Sequence, residues 1–252
     1  MSKRWALPSV AALLASCWWI PRPVTVPMRT VPYPGAGVAG GDLVIFLPGR
    51  GDRPEDFEER GLLAAARQAG LDADVLAVDA HLAYYYERVI SERLWADVVT
   101  PARARGYRRL WLVGISLGGL GSVATLQEHP DAAAGLLVLA PYLGEPELVR
   151  EIEAAGGLAH WRPGPAERDF RGVWAWLRGC ATHGVPRPPL WLAYGESDRY
   201  AYAHRLLASA LPPERVLVAP GGHDWTAWSR LWADFLSRGA FPGTIRAGSI
   251  SR

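Results

Sequence analysis

Arg109-Leu110-Trp111-Leu112-Val113-Gly114-Ile115-Ser116-Leu117-Gly118-Gly119-Leu120-Gly121 is an apolar run that gives way to a stretch of small residues. It predicts a buried strand followed at once by a helix. Between the two, G-x-S-x-G puts a serine on a sharp strand-to-helix turn, with glycines two positions before and after so that the cramped backbone can pass its neighbours. The motif alone is common; the strand before it and the helix after it give it chemical content. A serine hydroxyl is a weak nucleophile at neutral pH, so Ser116 needs a base, and that base needs a carboxylate to orient it.

Both occur downstream in the order Ser, Asp, His. Leu190-Trp191-Leu192-Ala193-Tyr194 reads as a buried strand that runs into the turn Gly195-Glu196-Ser197-Asp198, placing Asp198 at its carboxyl end. Arg215-Val216-Leu217-Val218-Ala219 reads as another strand, ending in Pro220-Gly221-Gly222-His223-Asp224-Trp225. Of His81, His129, His160, His183, His204 and His223, only His223 combines a preceding strand, a glycine turn and the required order; His204 is the leading substitute. Glu196 and Asp224 compete with Asp198 for the orienting role, Glu196 from inside the turn and Asp224 from a position too close to His223 to reach its ring easily. An oxyanion site also requires backbone N–H donors, and Leu117, directly after the serine, supplies one.

These segments resemble the α/β-hydrolase family over most of residues 40–238. The resemblance implies a triad of Ser116, Asp198 and His223, with a second oxyanion donor, Arg50 or Gly51, in the loop after the strand Asp42–Leu47. The family often has His-Gly in that loop; this chain has Pro48-Gly49. Also implied are a mostly parallel sheet of about six or more strands with helices on both faces, and a small helical cap within 141–188. The expected reaction is hydrolysis of a carboxylic ester through an acyl-enzyme on Ser116, without a cofactor. Acyl transfer or thioester hydrolysis would use the same triad, and a lipid-anchored binding or scaffold protein retaining the fold is the reading from a different class.

Six strands, at about 42–47, 74–79, 109–113, 135–139, 189–194 and 215–219, alternate with helical segments, the rhythm of a parallel sheet covered on both faces. Pro54 to Gln68, Tyr85 to Arg105 and Asp224 to Ser237 read as amphipathic helices, the last with Trp225, Trp228 and Trp232 near one face. The longest connection, 141–188, holds helical candidates at Glu145–Ala155 and Glu167–Arg178. Its Trp161, Trp174 and Trp176 have two readings, lining of an apolar pocket or packing of the cap. Tyr84 and Tyr85, after the strand ending near Asp79, are candidates for the mouth of the site.

Residues 1–16 have a basic start and a short apolar stretch, the layout of an export signal. Leu14-Ala15-Ser16-Cys17 resembles the lipobox of bacterial lipoproteins, with lipid attachment at Cys17, and implies an extracytoplasmic, membrane-anchored protein. From 17 to 41 the chain is rich in Pro and Gly and reads as a tether to the catalytic region 42–239; alternatively, Val24-Thr25-Val26 and Arg29-Thr30-Val31 form edge strands, where proline is tolerated. Residues 240–252 form a tail. The net charge of +2 gives no reason to expect a nucleic-acid partner. All but one of the 27 basic residues are arginine, the exception being Lys3, so lysine chemistry is excluded from the body of the chain. No histidine pair has the spacing or carboxylate company of a zinc site. Cys17 and Cys180 are the two cysteines, and with Cys17 acylated no intramolecular disulfide is available; Cys180 reads as a buried small apolar residue.

Overall fold

Apolar side chains on both faces of the central strands dictate the layering. The computed structural model describes residues 22–35, 41–164, 170–181, 188–239 and 241. Along Asp42–Leu47, Leu43, Ile45 and Leu47 enter one core while Val44 and Phe46 enter the other. Arg109–Ile115 divides likewise, with Leu110 and Leu112 opposite Trp111, Val113 and Ile115. Gly135–Leu139 sends Leu136 and Val138 one way and Leu137 and Leu139 the other. Side chains alternate across a pleated strand, so such strands need a helical layer on each side.

In chain order the strands are β1 (Thr30–Tyr33), β2 (Asp42–Leu47), β3 (Asp74–Val78), β4 (Arg109–Ile115), β5 (Gly135–Leu139), β6 (Leu190–Gly195) and β7 (Val216–Ala219). They form one seven-stranded sheet in the order β1-β3-β2-β4-β5-β6-β7. β1 runs antiparallel to β3 and every other pairing is parallel. One layer holds α1 (Asp56–Glu59), α2 (Leu62–Gln68) and α10 (Trp225–Ser237), whose Phe57, Leu62 and Trp232 are fully buried. The opposite layer includes α4 (Ile90–Leu94), a π-helical turn Trp95–Val99, α5 (Thr100–Ala104), α6 (Leu117–Glu128), α7 (Pro146–Ala154), α8 (Phe170–Ala181) and α9 (Ala201–Ala208). α3 (Leu82–Tyr86) follows β3. Full burial of each such Leu, Ile or Phe contributes roughly 1.5–3 kcal/mol.

Three features differ from the sequence reading. The segment read as a tether is packed structure from Arg22 to Gly35: Thr30–Tyr33 is an edge strand, as its alternative reading had it, whereas Val24-Thr25-Val26 is not a strand. Arg22 forks onto both Asp79 oxygens at 2.9 Å, and Met28 N–H donates to Asp97 Oδ2 at 2.8 Å. The helix read over 54–68 is interrupted at Gly61, at φ 84°, and the one read over 85–105 is broken near Arg88, at φ 58°. A left-handed residue cannot continue a right-handed helix. Cys180 is half-buried against the core. The proposed leader and Cys17 lie outside the described residues, as does nearly all of the tail, and among the described residues no helix is long and apolar enough to cross a membrane.

Candidate active site

Ser116 joins β4 to α6 with φ 51° and ψ −111°, outside the strand and helix basins. Such a conformation costs on the order of 1–3 kcal/mol and persists only where its surroundings enforce it. Here Ser116 N–H donates to Leu139 O at 2.9 Å, and Tyr142 N–H donates to Ser116 O at 2.9 Å, fixing the turn to the end of β5. The flanking glycines are required by close approach: a Cβ on Gly114 would collide with the Gly118 carbonyl, and one on Gly118 with that of Leu47. The second contact brings α6 against the end of β2, next to the loop that begins at Pro48.

Ser116 Oγ lies 2.9 Å from His223 Nε2, and His223 Nδ1 lies 2.8 Å from Asp198 Oδ2. A carboxylate only accepts, so Nδ1 carries the proton and Nε2 is left to accept from the serine hydroxyl. The Asp198 side chain is fully buried and that of His223 nearly so. Burial raises the Asp198 carboxyl, but hydrogen bonds from His223 and from Tyr200 N–H outweigh it and hold the group below its ordinary value. The two loops are locked to each other, Glu196 N–H donating to Ala219 O at 2.9 Å and Ser197 N–H to Gly221 O at 3.0 Å. Both competing acids are otherwise placed: Glu196 is exposed, and Asp224 caps α10, accepting from Ala227 N–H at 3.1 Å. His204 is fully buried and hydrogen-bonded to Pro141 O at 2.9 Å, with no bond to Ser116.

Ser116 opens into a cleft of about 870 Å³ whose lining includes Gly49, Arg50, Leu117, Tyr142, Tyr200 and His223. Leu117 is the first residue of α6, so its N–H has no acceptor within the helix. Across the cleft, Asp52 N–H donates to Gly49 O at 3.2 Å, closing a tight turn around Arg50 and Gly51. Arg50 lines the cleft; among the described lining residues Gly51 is absent. Trp225 Nε1 donates to Asp52 Oδ1 at 3.1 Å and ties this turn to the histidine loop. Burial holds the Asp52 carboxyl above its ordinary value, against the Trp225 bond that lowers it.

Of Tyr84, Tyr85, Trp161 and Trp174, aromatic residues read as candidates for the pocket or its mouth, only Tyr85 reaches the cleft. Tyr84 is fully buried, its hydroxyl donating to Thr25 O at 2.9 Å, so it anchors the N-terminal strap. Trp161 is 2% exposed and donates to Glu151; Trp174 is 0% exposed and donates to Leu143 O. Both belong to the core under α7 and α8. Besides Tyr85, the aromatic lining comes from Tyr86, Tyr142, Phe170, Tyr200, Trp225 and Trp228. The His223 ring meets Tyr200 and Trp228 edge-on, at centroid distances of 5.0 and 5.1 Å. Position gives the signal for two of these: Tyr142 directly follows the crossing after β5 and Tyr200 the Asp198 turn, at the carboxyl ends of strands where open α/β sheets bind ligands. Among the described residues no group of three or more His, Cys, Asp or Glu could hold a metal ion.

The fold is the α/β-hydrolase fold. The chain is similar to the solved structure of Est1E from Butyrivibrio proteoclasticus at 16% identity and TM-score 0.57, over 86% of this chain and 95% of that one. It is similar to a ferulic acid esterase at 15% identity and TM-score 0.55, over 78% and 84% of the two chains. An S-formylglutathione hydrolase from Staphylococcus aureus aligns at 12% identity and TM-score 0.53, over 87% and 98%. No protein-family model matches the chain, and no curated protein matches it in sequence.

Proposed function

We propose that this protein hydrolyses carboxylic esters through an acyl-enzyme on Ser116. The observation that carries this reading is the unbroken hydrogen-bonded chain from Ser116 Oγ through His223 to Asp198, at 2.9 and 2.8 Å. In the first half-reaction Ser116 Oγ bonds to the ester carbonyl carbon while His223 Nε2 takes the hydroxyl proton, and the Asp198 carboxylate stabilises the resulting imidazolium. The N–H groups of Leu117 and of Arg50 in the Gly49–Asp52 turn receive the oxyanion. Collapse breaks the carbon–oxygen bond to the alcohol, which leaves with the proton from Nε2. Water then repeats the sequence on the acyl-enzyme, releasing the acid and restoring Ser116.

The lipobox reading of Leu14-Ala15-Ser16-Cys17 completes the proposal: the enzyme is exported and anchored through acylated Cys17, with its catalytic region outside the cytoplasm. Labelling of cells with a fatty-acid analogue tests this, and incorporation that survives Cys17→Ala counts against it.

The catalytic reading is tested by intact-mass analysis after exposure to a fluorophosphonate, with Ser116→Ala and His223→Ala beside the wild type. One adduct, absent from both variants, is expected. Hydrolysis of a small aryl acetate should fall by about 10⁴-fold or more in either variant. A folded wild type that takes no adduct and cleaves no ester overturns the proposal.

A further inference from the structure

α6 does more than hold Ser116. From the elbow, Leu120, Ala124, Gln127 and Glu128 follow at helical spacing, and all four line a second cavity, of about 510 Å³. Residues three, four, seven and eight apart share one face of a helix, so this stripe leads away from the serine. Ala124 lies eight residues beyond it, about 12 Å along the axis at 1.5 Å per residue. The cavity shares Tyr85, Leu120 and Phe170 with the cleft that contains Ser116, so the two spaces meet across those three side chains. Besides the shared wall and the polar pair Gln127 and Glu128, the lining consists of the apolar Ile90, Ala124 and Val173 together with Arg88 and Ser91.

Resting on the ester-hydrolase reading above, we propose that this second cavity receives an elongated apolar acyl chain, so that the substrates are esters of aliphatic acids well beyond acetate in length. The acyl side, and not the alcohol, is assigned by the proton path. His223 Nε2 must deliver its proton to the departing oxygen, so the alcohol lies on the side of His223, among Tyr200, Trp228 and Arg199, which share the first cleft with it. The acyl substituent then points toward Leu120 and the α6 stripe, where His223 takes no part in the lining among the described residues. A volume of about 510 Å³ lies within the usual range for small-molecule pockets, and its mainly apolar lining, with Tyr85, Ile90, Leu120, Ala124, Phe170 and Val173, suits a hydrocarbon.

The test is a two-dimensional ester panel on the full-length protein. Acyl length is varied in 4-nitrophenyl acetate, butyrate, octanoate and decanoate, and alcohol length is varied in ethyl to octyl acetates. Ala124→Trp fills the second cavity beyond the shared wall, and Ala124→Leu fills it partly should the larger change impair folding. For the wild type, kcat/KM should rise by about tenfold or more from acetate to octanoate, with little dependence on alcohol length. In Ala124→Trp the octanoate-to-acetate ratio should fall by about tenfold, with Ala124→Leu in between. A flat acyl profile, a rise with alcohol length instead, or a ratio that neither variant moves overturns the acyl-chain assignment. Fluorophosphonate labelling of the same samples separates the two readings: an adduct with a flat profile sinks only this inference, and no adduct with no hydrolysis sinks the ester-hydrolase reading as well.

Discussion

His204 should make the protein acid-labile in a measurable window. It sits on α9, fully buried, with Nε2 on Pro141 O and with Nδ1 lacking a partner among the described residues. Burial pushes its pKa down from 6.5 to about 4, while the Pro141 bond and the Asp198 charge pull it up and His223 and Arg205 push it further down. Between those two values the unfolded chain binds a proton that the folded chain refuses. The neutral ring's contribution is therefore complete above about pH 6.5 and is lost as pH falls toward 4. A gap of about 2.5 units at 1.36 kcal/mol each corresponds to ~3 kcal/mol. Going from about pH 7.5 to about pH 4.5 should remove ~2.5 kcal/mol of it. His204→Gln keeps an N–H for Pro141 and cannot charge. Urea unfolding followed by tryptophan fluorescence at the two pH values gives the comparison. Carboxylates held low in the fold, Asp198 and Glu151 among them, weaken both proteins on acidification, so the quantity to read is the difference between their losses. Parallel losses in wild type and His204→Gln would refute the assignment of the window to this ring.

Further outcomes follow from the elbow, the strap and the loop bridge. Gly118→Ala should destabilise by about 1–3 kcal/mol, read by thermal unfolding, because its Cβ drives α6 away from the Leu47 carbonyl; fluorophosphonate labelling of Ser116 should slow with it. Tyr84→Phe removes the bond to Thr25 O and should cost about 1 kcal/mol, with earlier protease cleavage between Arg22 and Gly35. Trp225→Phe takes the N–H from Asp52 and should raise that carboxyl's pKa further, since the bond lowers it. The turn carrying Arg50 loses its tie to the histidine loop, and kcat in steady-state ester hydrolysis should fall by about tenfold while KM changes little.

The parallel strands were legible because each is a nearly pure apolar run bounded by turn residues, as in Leu43-Val44-Ile45-Phe46-Leu47 and Leu136-Leu137-Val138-Leu139. The order Ser116, Asp198, His223 was legible because Ser116 ends one such run and Asp198 and His223 each follow another after a short turn, and the fold brings the three side chains together. β1 was harder to read, since Pro32 and Pro34 suit a tether as well as an edge; pairing with β3 decides it, and that contact is long-range. Side-chain direction was the least legible property. Trp161 and Trp174 lie in the segment expected to cover the site, yet their indole N–H groups find Glu151 and the Leu143 carbonyl inside the protein. Tyr84 and Tyr85 are adjacent in sequence and on a helix point about 100° apart, so one anchors the strap and the other meets the cleft.

The polypeptide leaves the sheet after Ala140 and returns at Leu190, and the parallel pairing of β5 with β6 closes that excursion at its root, with Leu136 N–H on Pro189 O at 2.9 Å and Ala140 N–H on Ala193 O at 2.7 Å. Ser116 is held through the Leu139 carbonyl of β5 and by Tyr142 N–H, and Asp198 and His223 stand on the bonded loops after β6 and β7, so the first residues of the excursion share with the sheet in setting the spacing of the three side chains. A graft between those two points that keeps Pro141 on His204 and Tyr142 on the Ser116 carbonyl, and that refills the core around Val149, Ile152, Trp161 and Trp174, would alter what the cleft admits while leaving Ser116, Asp198 and His223 in register.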